Sequence, residues 1–246
     1  MTQSNSSAAP GQVRVRVREL FDLDKSIAGA YLERYEYPWE VLPHIKGIVL
    51  EIGAGLPEDE YRIFRGYPES TPRADDAACV WVHRSVTLPP TATVAGPAII
   101  CEGAEIRPGA FIRGNAIIGR GAVVGNSTEV KNAILFDGVQ APHFNYVGDS
   151  IFGYKAHTGA GVITSNVRSD KRPVQIHTAG GDVDTGLKKV GAMLGDGAEI
   201  GCNTVLNPGS VVGRGSIVYP LSCVRGCVPA GALYKRAGEV VARRDG

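Results

Sequence analysis

The residues best suited to chemistry in this 246-residue chain fall in two stretches. One is Pro142-His143-Phe144-Asn145-Tyr146. An imidazole titrates near neutrality, so His143 suits removal of a proton from an attacking amine. The other begins at Asn166 and carries Arg168, Lys171, Arg172, Lys188 and Lys189. Such a run of cations either meets anions or forms a solvated face. His83, His143, His157 and His177 contain no pair at tight ligand spacing, and Cys223 and Cys227 have no second pair. No metal site is expected from them.

Composition narrows the scaffold. The chain has 32 Gly, 15 Pro and 7% aromatic residues, so it turns often and packs small side chains. Hydrophobic content of 43% argues against wholesale disorder. The aliphatic runs are too short to span a bilayer, and no secretory signal is visible. With 26 basic and 25 acidic residues there is no electrostatic case for nucleic acid or an anionic membrane. Five cysteines at irregular spacing do not make a disulfide framework, and they read as free thiols of a cytoplasmic protein.

The elements that must position these residues come from a repeat. Steps of six from Val82 land on Val, Leu, Ile or Phe as far as Phe136. A second column of small residues runs Ala92, Ala98, Ala104, Ala110, Ala116, Ala122, Thr128. The pattern returns at Leu194, Ile200, Leu206, Val212, Val218 and Val224. Period six fits neither a helix nor an alternating strand. It predicts a short strand and a corner, with one large and one small residue pointing inward. Gly103, Gly109, Gly121 and Gly125 fall where corners need unusual backbone angles. Three faces close a coil of eighteen residues, so Arg113 and Lys131, eighteen apart, should stack side by side. Two unpaired cations in such a column call for an anion between them.

The repeat breaks twice, and breaks are where function is expected. Between Phe136 and Thr158 the register slips by one residue twice, near Val147 and near Phe152. An insertion at about 167–190 should stand off the coil as a loop. The expected layout is a disordered tail over 1–12, a small cap over 13–78, a β-helix over 79–231 and a C-terminal tail over 232–246. Val13, Val15 and Val17 read as a short strand. One helix is expected after Asp24 and another from near Pro38 or Pro43, ended by Gly53-Ala54-Gly55. Residues 56–78 read as a linker, and the cap should cover an open end of the β-helix.

The repeat segment, from about Val82 to Gly231, resembles the hexapeptide-repeat acyltransferases. That resemblance implies a left-handed parallel β-helix and a homotrimer with active sites between neighbouring prisms. Three further stretches sharpen it: Thr128-Glu129-Val130-Lys131-Asn132, His143 through Asp149, and Thr158 through Asn166. In order and spacing they resemble the acetyltransferase domain of the bifunctional enzyme that makes UDP-N-acetylglucosamine. That domain acetylates glucosamine-1-phosphate from acetyl-CoA. The resemblance does not extend to a uridylyltransferase domain, so that half-reaction is not carried over.

What the resemblance implies for individual residues is as follows. His143 matches the catalytic base and Glu129 the acid that supports it. Asn166 matches an asparagine near the amine and the thioester. Lys131 and Tyr146 match sugar-phosphate ligands, joined by an arginine that motif places at Arg107 and coil geometry at Arg113, which is preferred. His157 stands where the family has a sugar-contacting asparagine. Lys171 or Arg172 matches a lysine that reaches a neighbouring subunit. Ala160, Cys202 and Pro220 fall where the family lines its acetyl-CoA groove. Acetyl-CoA is thus expected as co-substrate, with no tightly bound cofactor and no metal requirement. The expected function is acetyl-CoA-dependent N-acetylation of an amino-sugar phosphate in nucleotide-sugar biosynthesis. The alternative is a non-catalytic trimeric module that binds a nucleotide sugar or assembles with another enzyme.

Overall fold

The computed structural model describes residues 15–64 and 79–243. The expected tail over 1–12 lies outside the described residues, as do most of the linker and the last residues of the C-terminal tail. The core is a left-handed parallel β-helix of about nine turns. Coils stack strand on strand in parallel register, Ala98 on Ala116, then Ala133 and Ser150. Strands in such a stack sit about 4.8 Å apart.

Three faces can be followed by their paired residues. The first runs Phe111, Glu129, Tyr146, Ile163, Val205, Cys223. The second runs Ala98, Ala116, Ala133, Ser150, with Ala192 and Ser210 continuing the column after the insertion. The third runs Glu105, Val123, Gln140, His157, Glu199, Ile217, Leu233. The inward large and small columns are buried, as the period requires. Gly121 has φ of +61°, which only glycine adopts cheaply. Gly125 is different: it has no positive φ, and a Cβ there would lie 1.6 Å from the Pro142 carbonyl oxygen. It serves close approach of coils rather than a left-handed turn.

The helical part of the cap does not cover an open end. It lies along the second face. On that face the outward residues Ile99, Ile117, Ile134, Ile151, Met193 and Val211 are also fully buried. An outward apolar column must be covered, since leaving it in water would cost the burial energy of every side chain in it. The helix Ile45–Ala54 and the 3-10 segment Pro38–His44 pack on the strands carrying Ile99, Ile117, Ile134 and Ile151. Gly53 rests against the Trp81 ring, where a Cβ would come within 2.6 Å. Phe21 meets Phe136 at 5.2 Å between ring centroids, which explains why Phe136 stands outside the core column. Ile118 pairs with Leu135, so Leu135 takes the inward place.

Other local expectations shift. Val17–Leu20 is helical rather than part of a strand. Around and after Asp24 the chain forms only a 3-10 turn, Leu23–Lys25, and a single helical turn, Gly29–Leu32. Within the expected linker, Tyr61–Phe64 pairs antiparallel with Val80–His83 and starts the sheet. Within the expected C-terminal tail, Ala232–Arg236 and Glu239–Ala242 form a hairpin that extends the third face.

The insertion has the expected bounds but not the expected shape. Ile163 pairs with Val205, 42 residues on, whereas neighbouring coils advance by 17 or 18. Val190 N–H donates to the Asn166 carbonyl and closes the excursion. The segment folds into a hairpin, Gln175–Thr178 with Gly181–Asp184, and lies back against the strands of Val211 and Cys227. Val174 and Ile176 are fully buried beneath it. Among the described residues no helix is long and apolar enough to cross a membrane.

Covering the second face is therefore a large part of stability. Ile117→Ala should cost about 2–5 kcal/mol in chemical denaturation. Phe111→Ala, on the open first face, should cost well under half of that. Equal losses would contradict the covered-face description.

Candidate active site

Backbone hydrogen bonds define one corner of the coil, between the third and first faces. His143 pairs with Asn126 in the coil before it. The His143 carbonyl accepts from Gly161 N–H, the Ala160 carbonyl from Asn203 N–H, and the Cys202 carbonyl from Leu221 N–H. Each donor lies one residue past the corner position. Asn126, His143, Ala160, Cys202 and Pro220 therefore stack in a single column. Three coils separate His143 from Pro220, about 14 Å along the axis. His143, Cys202 and Pro220 are exposed, and Ala160 contributes only a methyl group, so the column is an open edge.

His143 is held by its backbone and free at its ring. Its N–H donates to Asn145 Oδ1 at 3.3 Å, and the buried Asn145 donates onward to the Gly159 carbonyl at 2.8 Å. The imidazole makes no hydrogen bond or ion pair to another described residue. The expected support from Glu129 is not made. The Glu129 carboxylate instead accepts from Arg113 Nη1 at 2.6 Å. That hydrogen bond raises the Arg113 pKa from its ordinary value. The amide N–H of Ala160 also donates to no described residue.

The opposite edge of the first face holds a second cluster. Arg113 and Lys131 do stack on neighbouring coils, because Ile112 pairs with Val130 immediately before them. Arg107 stands at the other corner, bound to Glu105 at 2.8 Å. The two stacked cations are not unpaired, however. Arg113 meets Glu129, and Lys131 Nζ lies 3.6 Å from Asp149 Oδ2. Repulsion between them is thus answered within the chain, and that part of the case for an anion falls away.

Asp149 is the residue that the sequence reading passed over. It is 5% exposed and binds on three sides. Its carboxylate accepts from Asn132 Nδ2 at 2.9 Å and Asn166 Nδ2 at 2.5 Å, beside Lys131. Asn166 Nδ2 also lies 3.2 Å from the Tyr146 hydroxyl. The Tyr146 pKa is raised, chiefly by burial, with the Asn166 bond opposing. The cluster sits where two successive coils are one residue short. Phe111 to Glu129 is eighteen residues, but Ala116 to Ala133 and Ala133 to Ser150 are seventeen. The deletions fall at Asn132 and Asp149, both at φ of +49°. The slip near Val147 is therefore found; the other lies a coil earlier, at Asn132, and not near Phe152. The signal was present in the sequence as Asn132, Asp149 and Asn166, spaced by seventeen.

The remaining candidates separate. His157 is on the third face, its Nδ1 2.7 Å from Glu199 Oε2, away from the Lys131 cluster. Lys171 is exposed at φ of +60° in the insertion. Cys202 and Cys223 are exposed thiols, whereas burial pushes Cys101 and Cys227 up to about 12. Among the described residues no group of three or more His, Cys, Asp or Glu is placed to hold a metal ion.

Comparison with known proteins places the chain. Residues 94–228 match the family described as the GMPPB C-terminal domain, and the chain belongs to that family. It is 33% identical over 107 residues to the bifunctional sugar-1-phosphate nucleotidylyltransferase/acetyltransferase of Sulfurisphaera tokodaii, covering 44% of this chain and 27% of that protein. It is 35% identical over 117 residues to the bifunctional protein GlmU of Methanocaldococcus jannaschii, covering 48% and 28%. The match thus spans little more than a quarter of these relatives' length. Among solved structures, PerB from Caulobacter crescentus in complex with CoA and GDP-perosamine aligns at 17% identity and a TM-score of 0.26, over 63% of this chain and 52% of that one.

The Asp149 hub sets a stability test. Asp149→Ala removes the buried acceptor shared by the half-buried amides of Asn132 and Asn166 and should cost about 1–3 kcal/mol in denaturant unfolding. Asp149→Asn, which keeps an acceptor oxygen, should cost clearly less. Indistinguishable variants would show that the hub is not what holds the short corners.

Proposed function

We propose that this chain is an acetyl-CoA-dependent N-acetyltransferase whose acceptor is an amino sugar bearing a phosphate, of the glucosamine-1-phosphate kind. The observation that carries it is the corner column: an unpartnered imidazole at His143 continuous with Ala160, Cys202 and Pro220. A slender thioester arm laid along that edge brings its carbonyl to His143. The relatives that match this segment are named as acetyltransferases joined to sugar-1-phosphate nucleotidylyltransferases, which supports the same acceptor class.

The reaction follows from these groups. The sugar amine attacks the thioester carbonyl, and His143 takes the amine proton as the N–C bond forms. The C–S bond then breaks, and the thiolate leaves with a proton as CoA. Both bonds from Asn166 Nδ2 run to Asp149 and Tyr146, so Asn166 positions the acceptor side. The free N–H of Ala160 is the donor left for the developing oxyanion. Lys131, Arg113 and Tyr146 line the sugar-phosphate side, with Glu129 and Asp149 setting the two cations. Lys171 and His157 lie outside this cluster within one chain. A role for either toward the acceptor is supplied by a neighbouring copy. The exposed Phe111, Phe144, Val205 and Leu221 on and beside the first face support such a copy, in a cytoplasmic homotrimer.

One observation favours the non-catalytic reading: both cluster cations already have carboxylate partners. A thiol-release assay with acetyl-CoA and a panel of amino-sugar phosphates separates the two. Turnover should appear with glucosamine-1-phosphate or a close analogue and fall at least ~100-fold in His143→Ala. Unchanged turnover in that variant would remove His143 from the reaction. Nucleotide-sugar binding without acetyl-CoA affinity in calorimetry would establish the non-catalytic module.

A further inference from the structure

The insertion creates a cleft that the acetyl-transfer reading does not use. Its floor is the corner column that carries Arg113 and Lys131, continued through Ser165, Asn207 and Arg225. Its other wall is the insertion itself, with Arg168, Ser169 and His177. The space between them is about 320 Å³, at the small end of ligand sites.

The polar groups in this cleft are unequally satisfied. Its acidic group is spent: Asp170 takes two bonds from Arg168, at 2.9 and 2.6 Å, and one from the Arg172 backbone. Its donors are not. The Ser165 and Ser169 hydroxyls have no partner among the described residues. Among the described residues the Arg225 guanidinium has no carboxylate partner, and its one hydrogen bond is to His177 Nε2 at 3.2 Å. His177 can accept there because its other nitrogen, Nδ1, donates to Asp182 at 2.7 Å. Asp182 thereby fixes the tautomer, and the ring holds Arg225 at the cleft. A guanidinium and two hydroxyls line the cleft from both walls, and such donors suit a tetrahedral anion.

We propose that this cleft binds a small phosphorylated anion, a phosphate monoester or diphosphate, with Arg225 as its charge partner and Ser165 and Ser169 as hydroxyl donors. Arg225 lies four coils from Lys131 along the corner, about 19 Å, so one phosphate cannot serve both. The site is separate from the acceptor cluster and does not depend on the acetyl-transfer reading. The 24-residue excursion supplies the second wall, without which the corner is an open ridge.

Calorimetric titration of the full chain with inorganic pyrophosphate tests this. Binding should be present in wild type and kept in Lys131→Met, which places it away from the acceptor cluster. Arg225→Gln should weaken it about tenfold or more, as loss of a charged hydrogen bond does. The Ser165→Ala/Ser169→Ala double variant should weaken it severalfold and covers the case in which the arginine variant misfolds. Arg225→Gln should keep the wild-type rate of CoA release, so a failed acetylation assay and a failed titration remain distinct results. No binding at millimolar pyrophosphate, loss in Lys131→Met, or equal affinity in Arg225→Gln would overturn the proposal.

Discussion

The constraint on which everything else rests is hydrogen bonding between stacked coils. Each coil donates and accepts through its backbone to the coils on either side, so a residue's neighbours along the axis are fixed by counting. A shift of one residue would turn the inward columns outward and expose the core. Function in such a scaffold is written as columns. His143, Ala160, Cys202 and Pro220 come from four coils and a span of 78 positions, yet share one edge. Arg113, Lys131, Ser165, Asn207 and Arg225 share another.

The departures from strict repetition are equally constrained. Each shortened corner turns on a single non-glycine residue in the left-handed region, Asn132 and Asp149. Asparagine and aspartate tolerate that conformation better than other side chains. Two short corners in successive coils bring those side chains into contact, and the buried Asp149 carboxylate binds both Asn132 and Asn166. The same carboxylate sits beside Lys131, so geometry that shortens the coil also sets charge at the acceptor side. The insertion leaves directly after Asn166, the third member of this series.

How much of this was legible depended on which direction a side chain faced. Inward columns were plain, because a period of six in Ile, Val and Ala admits one arrangement. The stacking of Arg113 on Lys131 and the bounds of the insertion followed from the same count. The outward apolar column Ile99, Ile117, Ile134, Ile151 falls between the inward positions that carry the period, so it stayed unread and the helices of the cap were assigned to an open end instead of the second face. Ion pairs were not legible. Glu129 to Arg113 and Lys131 to Asp149 depend on side-chain reach across a corner, which spacing alone does not give. The hairpin form of the insertion escaped for a similar reason. Its buried Val174 and Ile176 are ordinary residues whose partners are more than thirty positions away.

The central claim is that the His143 edge is where the acetyl donor lies. Cys202 reports on it directly, as an exposed thiol two coils from His143 in the same column. The measurement is the rate at which N-ethylmaleimide alkylates Cys202, followed by peptide mass spectrometry with and without saturating acetyl-CoA. The account predicts that acetyl-CoA slows alkylation at this position by about tenfold or more, the factor that corresponds to 1.4 kcal/mol. An unchanged rate at Cys202 under conditions where the chain binds acetyl-CoA would place the donor elsewhere and contradict the account.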